Sequence, residues 1–156
     1  MSKVRYAIGV LALSATGLVA ILGYEGFSDA AYIPIEGDIP TIGFGTTEGV
    51  KPGDTITPEK AVERAFRDIQ NTESAIHKCV HVPLSASEYD AFTSLAYNIG
   101  SSAFCSSTLV KKLNDGDYEG ACAEIKRWVY VKGEVVPGLV KRREKEYRMC
   151  MGLEND

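Results

Sequence analysis

The chain begins with a long apolar run behind two basic residues, Lys3 and Arg5. From Tyr6 to Tyr24 there are 19 residues without Asp, Glu, Lys, Arg or His. As one helix, this run would span about 28 Å, close to the thickness of the hydrocarbon core of a bilayer. Small residues fill about half of the run, so its free energy of insertion into a membrane is marginal.

Composition alone leaves four interpretations of this run open. Ala12-Leu13-Ser14 offers a weak cleavage pattern for a signal peptide, whereas a permanent anchor calls for a more apolar span. An uncleaved export signal that later leaves the membrane agrees with the marginal composition, and a buried core helix is the fourth interpretation. If the run is exported, the basic residues before it predict a cytoplasmic N-terminus and export of everything after Tyr24.

Residues 28–48 have the pattern of short strands and turns. Prolines and glycines interrupt any helix there, and apolar residues alternate at Ile33 and Ile35 and again at Ile42 and Phe44. This segment therefore predicts a small sheet of two or three strands.

Behind that segment, apolar residues recur at three- and four-residue steps, which is typical of amphipathic helices. Thr57-Pro58 is a helix start, with threonine as the cap and proline in the first turn, and Gly100 and Gly152 mark helix ends. The predicted helices run from Pro58 to about Cys79, from Ser85 to Ile99, from Thr108 to Leu113, over residues 117–128, and from Leu139 to Met151. Strands followed by helices predict an α+β fold, with five helices after the sheet, or six if the N-terminal run folds back.

Composition narrows the class of protein. A chain of 156 residues, 45% of them hydrophobic, holds one compact domain with a core, here with an N-terminal appendage. The net charge of -4, with mixed signs along the chain, lacks the basic footprint of a nucleic-acid-binding protein. The cysteines have no C-x-x-C spacing and only His77 and His81 accompany them, so we expect no metal site.

Glu25 is the candidate acid of this sequence. It follows the apolar run directly and has Leu22, Tyr24 and Phe27 as neighbours. An apolar setting favours the protonated carboxyl group, which is the form that a proton donor needs. Cleavage of a glycosidic bond requires such a donor, together with help at the anomeric carbon. The alternative is that Glu25 only marks the end of a membrane-like run.

The hexapeptide TIGFGT at residues 41–46 is a second candidate element. Alternation along a strand would bring Thr41, Gly43 and Gly45 to one flat face, with a hydroxyl group and room for a polysaccharide against the backbone. The alternative is a plain hairpin whose glycines serve only its turns.

These residues resemble the active-site segment of the phage-type lysozymes, glycoside hydrolase family 24. The resemblance is carried by Glu25-Gly26 after an apolar helix, Ala31-Tyr32, TIGFGT at 41–46, AYNIG at 96–100, STLVKKLNDGDYEGAC at 107–122, Trp128, and PGLVKRREKE at 137–146. It implies a lysozyme-like α+β fold with a small antiparallel β-sheet lobe, a mostly helical lobe, and an active-site cleft between them. The implied activity is that of an endolysin that lyses the host cell. It would hydrolyse the β-1,4 bond between N-acetylmuramic acid and N-acetylglucosamine in peptidoglycan, without a cofactor.

The catalytic set of that family is a Glu, an Asp or Cys about nine residues on, and a Thr about six residues further. By this pattern Glu25 resembles the general acid, and Thr41 resembles the residue that positions the attacking water. Pro34 stands where the middle member is expected, so this sequence departs from the family there. Asp38 is our candidate for the second carboxylate because Gly37 lets the turn aim it back; Glu36 is its substitute, and a site without this carboxylate is the third option.

Substrate contacts are expected from Tyr32, Gly43, Gly45, Arg142 and Arg143. For the two arginines, the alternative is a solvated helix face on which nearby glutamates pair with them. Two rival functions remain open: a lytic transglycosylase, which needs only one acidic residue, and a membrane-tethered wall-binding protein with an inactive site.

The N-terminal run resembles the signal-arrest-release helix of some endolysins in this family. The resemblance implies an uncleaved release helix over residues 1–24 and a lysozyme-like muramidase domain over residues 25–156. The protein would be a monomer, held in the host inner membrane with its N-terminus inside and its C-terminus outside, and later released to the periplasm. Its partners would be the inner membrane before release and peptidoglycan after it, with no nucleic acid.

The periplasm would oxidise suitably placed thiols. We expect Cys79 to pair with Cys105, and Cys122 with Cys150, because the latter two lie on core-facing positions of neighbouring helices; buried thiols are the alternative. No cysteine precedes Cys79, so we expect activation by refolding alone, without the disulfide rearrangement that some relatives use.

Overall fold

The computed structural model describes residues 3–153, so the outer ends of the two predicted domains, residues 1–2 and 154–156, lie outside it. Within the described range there are seven α-helices and four short strands. The helices are α1 (Ala15–Glu25), α2 (Pro58–Cys79), α3 (Ala86–Ile99), α4 (Ser101–Cys105), α5 (Thr108–Asn114), α6 (Tyr118–Glu124) and α7 (Pro137–Met151). The strands are β1 (Ser28–Tyr32), β2 (Thr41–Gly43), β3 (Tyr130–Val131) and β4 (Glu134–Val135).

The chain divides into two compact units. One comprises residues 18–71, and the other comprises residues 3–17 together with residues 72–153. We call them the sheet unit and the helical unit. In the sheet unit β1 and β2 pair antiparallel, with a register that runs from Ser28 opposite Gly43 to Tyr32 opposite Thr41. The small antiparallel sheet is therefore confirmed.

The strand β2 is shorter than expected because the chain turns immediately after it. Ile42 and Thr46 exchange two backbone hydrogen bonds, with N···O distances of 2.9 and 3.1 Å. Between them, Gly43 and Gly45 have φ angles of +64° and +86°, in the left-handed region that favours glycine. The flat strand face expected over residues 41–46 was wrong, because the alternation of side chains stops at Gly43.

The helical unit has its core around α3. This helix begins with a reciprocal cap, in which the Ser85 hydroxyl accepts the Glu88 N–H at 3.2 Å and the Glu88 carboxylate accepts the Ser85 N–H at 2.9 Å. Phe92 and Leu95 of α3 are fully buried and belong to the same apolar cluster as Phe104 of α4. The helix α4 was not expected, because five residues are too few to reveal a helical period. With this addition, the predicted lysozyme-like α+β class is confirmed.

Both expected disulfides are present, so the alternative of buried thiols was wrong. Cys79 is bonded to Cys105 and Cys122 to Cys150, with Cα–Cα distances of 5.6 and 5.7 Å. Each bond joins two helices: the last residue of α2 to α4, and α6 to α7.

The N-terminal apolar run does not form one helix in this structure. Ile8–Val10 is a single 3₁₀ turn, and α1 begins only at Ala15. Ser14 caps α1, because its hydroxyl accepts the Gly17 N–H at 3.0 Å. None of the helices in residues 3–153 combines the length and the apolar character needed to cross a bilayer.

Candidate active site

Glu25 is the last residue of α1. The helix ends there because Gly26 follows with a φ angle of +67° and donates its N–H to the Leu22 carbonyl at 3.1 Å. The strand β1 starts three residues after Glu25. The chain thus brings the carboxyl group to the junction between the helix and the sheet of the sheet unit.

The turn after β2 lies against the Glu25 carboxyl group. The position of a Cβ on Gly45 would be 3.0 Å from Glu25 Oε2 and 3.5 Å from its carboxyl carbon. Phe27 and Phe44 pack beside this contact with their ring centroids 5.5 Å apart. The structure therefore brings together Glu25 and Gly45, two predicted site residues that are 20 positions apart in the sequence.

Thr46 secures the same turn from its other end. The side chain is 2% exposed, and its hydroxyl donates to Asp68 Oδ2 at 2.6 Å. Sequence reasoning named Phe27 as an apolar neighbour of Glu25 but missed Asp68 as a support of the site. No local signal marks Asp68, which is one of several charged residues on an amphipathic helix and gains its role only from its place opposite Thr46.

Thr41 and Gly43 occupy the two ends of β2, and both are buried. The Thr41 hydroxyl donates to the Ile39 carbonyl at 3.3 Å. A Cβ on Gly43 would lie 3.0 Å from Ala61 Cβ, so this glycine allows the strand to pack closely on α2. Close packing against α2 therefore explains why a glycine stands at position 43. The burial of Gly43 gives no support to the prediction that it contacts substrate.

The loop between β1 and β2 carries the two carboxylates considered for the second role. Pro34, Glu36 and Asp38 are all exposed, as is Tyr32 at the start of the loop. A turn in which Asp38 donates its N–H to the Ile35 carbonyl at 2.9 Å orders the tip of the loop. Both carboxylates thus lie on the exposed loop between β1 and β2.

Arg142 and Arg143 do not lie on a solvated helix face, but the pairing with a nearby glutamate that this alternative also expected is present. They are 7% and 1% exposed, and each pairs with the buried Glu146, at 3.0 and 2.5 Å. Arg143 also donates to the Trp128 carbonyl at 2.9 Å and to the Asn98 side chain. A substrate would have to displace this buried network to reach the arginines, so their position gives no support to the predicted substrate contact.

No group of His, Cys, Asp and Glu residues arranged to hold a metal ion occurs among residues 3–153. The polar groups of the candidate site are the Glu25 carboxyl group, the backbone of the turn at Gly45, the Thr41 hydroxyl and the exposed loop carboxylates.

Comparison with known proteins places this chain in a family. The phage lysozyme family model matches residues 22–146. An endolysin of Acyrthosiphon pisum secondary endosymbiont phage 1 is 44% identical over 138 residues, which are 86% of this chain and 94% of that protein. The SAR-endolysin of Pseudomonas phage phiKMV is 38% identical over 145 residues, covering 90% of this chain and 88% of that protein. Among solved structures, the endolysin from Escherichia coli O157:H7 phage FAHEc1 matches with a TM-score of 0.82 at 34% identity, over 95% of this chain and 99% of that chain.

Proposed function

The chain belongs to the phage lysozyme family, and from that premise we propose that Glu25 is the general acid with which it cleaves peptidoglycan. The protein is a glycoside hydrolase of the endolysin type, acting in host cell lysis. The bond we assign to it is the β-1,4 linkage between N-acetylmuramic acid and N-acetylglucosamine. No cofactor takes part in this reaction.

The observation that carries the assignment is the contact between Glu25 and the turn at Gly45. A general acid must be held within hydrogen-bond reach of the leaving oxygen, so its carboxyl group needs a fixed position before substrate arrives. The end of α1 fixes Glu25 from one side, and the absence of a side chain at Gly45 leaves room for its carboxyl group on the other. A sugar chain bound against this turn would present its glycosidic oxygen to Glu25.

The second step requires a water molecule at the anomeric carbon. We assign its positioning to Thr41 and its activation to Asp38, with Glu36 as the alternative carboxylate. Tyr32, exposed where β1 enters the loop, supplies an aromatic surface on which a sugar ring can stack. The protein acts as a monomer, since a single chain provides all of these groups.

The general-acid assignment is tested by replacing Glu25 with Gln, which keeps the size of the side chain and removes the proton donor. We expect clearing of permeabilised Gram-negative cells to fall by about 100- to 10,000-fold. Glu48→Gln is the control, because Glu48 is an exposed carboxylate of the same unit. If Glu25→Gln is as active as the control, Glu25 is not the general acid.

The second carboxylate is tested by Asp38→Asn and Glu36→Gln, assayed separately. If Asp38 activates the water, only Asp38→Asn loses activity. If neither variant loses activity, the site works with one acidic residue, and the lytic transglycosylase becomes the better candidate because Pro34 stands where the family has its acid. Mass analysis of digested peptidoglycan separates the two reactions, since an anhydromuramyl end indicates transglycosylation and a reducing end indicates hydrolysis.

We also infer that residues 1–24 are a signal-arrest-release segment preceding a muramidase domain at residues 25–156. The inference is supported by the uncharged run behind Lys3 and Arg5 and by the similarity to a SAR-endolysin. The chain would be held in the inner membrane with its N-terminus in the cytoplasm and then released to the periplasm. Collapse of the proton-motive force with an uncoupler should move the wild-type protein from the membrane fraction to the soluble fraction; retention in the membrane would contradict release.

A further inference from the structure

The N-terminal segment is bound to three carboxylates of the helical unit. The first is Glu88 of α3, which is 1% exposed. Arg5 donates two hydrogen bonds to it, from Nη2 to Oε1 at 2.7 Å and from Nε to Oε2 at 3.0 Å. The Arg5 guanidinium also lies 3.6 Å above the centroid of the Tyr118 ring. Lys3 completes the contact with an ion pair to Glu88 at 3.5 Å. The two basic residues that precede the apolar run thus share one acidic site.

The other two carboxylates bind the chain just before α1. Glu73 Oε1 accepts the Leu13 N–H at 2.6 Å. Asp90, 7% exposed, accepts the Ser14 N–H at 2.9 Å and a second hydrogen bond from the Ser14 hydroxyl. Because Ser14 also caps α1, these bonds determine where that helix starts.

Gly17 allows the segment to approach Asp90. A Cβ at this position would lie 2.8 Å from Asp90 Cγ and 3.0 Å from Oδ1, closer than side chains tolerate. The Asp90 side chain is short and bound to Ser14, so it has little freedom to move aside. At Gly9 and Gly23, by contrast, an added Cβ would meet nothing within 4 Å. Of the three glycines in the apolar run, Gly17 is therefore the one that its packing requires.

We propose that Glu73, Glu88 and Asp90 form a receptor for residues 3–17, which competes with the inner membrane for this segment. This inference rests on the proposed release from the membrane. While the segment lies in lipid, the three carboxylates lack the hydrogen bonds and ion pairs that Lys3, Arg5, Leu13 and Ser14 supply in the docked state. Docking of the segment restores those partners and starts α1 at Ser14. Release is then favoured by the folded domain itself as well as by weak insertion of the run.

The experiment compares Gly17→Ala with Gly9→Ala and Gly23→Ala in the full-length chain. Each variant adds the same methyl group to the apolar run, so weak insertion alone predicts the same change for all three. Docking predicts that only Gly17→Ala lowers the Tm of the soluble protein, by about 2–8 °C, and reduces the fraction released by an uncoupler. If the three variants have the same Tm and the same released fraction, the proposal that the three carboxylates bind residues 3–17 is wrong.

A second pair of variants keeps the proposal testable if Gly17→Ala yields no soluble protein. Ser14→Ala removes one hydroxyl that binds Asp90, and Ser107→Ala removes the comparable cap of α5 as a control. If residues 3–17 dock as one unit, trypsin should cut after Arg5 about tenfold faster in Ser14→Ala than in the wild type. The rate of this cleavage should be the same in Ser107→Ala as in the wild type. An unchanged rate in Ser14→Ala would contradict docking as a unit. If the wild-type protein never enters the membrane, the proposed release is wrong. The Tm and trypsin measurements would still show whether residues 3–17 dock on the three carboxylates.

Discussion

Glu25 and Gly45 form a contact that leaves no room for a side chain at position 45, because Glu25 Oε2 lies 3.0 Å from the point where a Cβ would stand. The glycine is thus required twice, once by its φ angle of +86° and once by the carboxyl group beside it. These two requirements can be separated by mutation.

Gly45→Ala should reduce activity by more than its effect on stability explains. The methyl group displaces the Glu25 carboxyl group or the turn, and a shift of this size costs about 10- to 100-fold in kcat/KM. Gly49→Ala is the control, because Gly49 also has a positive φ angle, +69°, but an added Cβ there meets nothing within 4 Å. Both variants should lose about 1–2 kcal/mol in denaturant unfolding. Equal kcat/KM for the two would show that the contact with Glu25 has no catalytic consequence.

Glu146→Gln should destabilise the protein strongly. It leaves the buried guanidinium groups of Arg142 and Arg143 without their anionic partner, and breaking such a buried pair costs about 3–5 kcal/mol. Glu144→Gln breaks only the exposed ion pair with Lys126, so its free energy of unfolding should change by no more than about 0.5 kcal/mol. If the arginines serve structure alone, the KM of folded Glu146→Gln is unchanged. A raised KM would support the prediction that the arginines contact substrate.

Stability should fall in acid partly through Glu88. Burial alone would raise the pKa of Glu88, but the hydrogen bonds from Arg5 and the Ser85 N–H outweigh it and hold the pKa below its usual value. A carboxyl group whose pKa is lowered by folding contributes stability above the unfolded value of about 4.3, and this contribution is lost as the pH falls through the folded value. The difference in Tm between wild type and Glu88→Gln should therefore have its largest value at pH 6 and decrease below about pH 4. The exposed Glu119→Gln controls for the loss of one charge, and a difference independent of pH would contradict this account.

Reduction should destabilise the helical unit. The disulfides close loops with sequence separations of 26 and 28 residues, and loop-closure entropy assigns about 3.5 kcal/mol to each. Denaturant unfolding with and without a reductant measures this loss. The paired substitution Cys122→Ala with Cys150→Ala isolates one bond. Detection of free thiols in the unfolded, unreduced protein would contradict the pairing.

Local signals predicted where most of the helices begin and end. Proline in the first turn of α2, the Ser85–Glu88 cap of α3 and the left-handed Gly152 after α7 act within a few residues, and the observed helix ends agree with them. The helix α4 was missed because it is shorter than two helical turns. The turn at Gly43 and Gly45 was expected only as the alternative to a flat strand, because the alternation of apolar residues in this segment fits both structures.

The sequence by itself determined the fold class, the family and Glu25 as the candidate acid, since these follow from periodicity, caps and a motif written in neighbouring residues. Tertiary structure alone decided which groups meet across long separations. It set Gly45 against Glu25 and buried Arg142 and Arg143 around Glu146. It also started α1 after Ser14, within the apolar run, through the bond to Asp90, 76 residues away. The physical reason is that an ion pair or hydrogen bond between distant residues leaves no local pattern, because each partner alone has the composition of an ordinary polar surface.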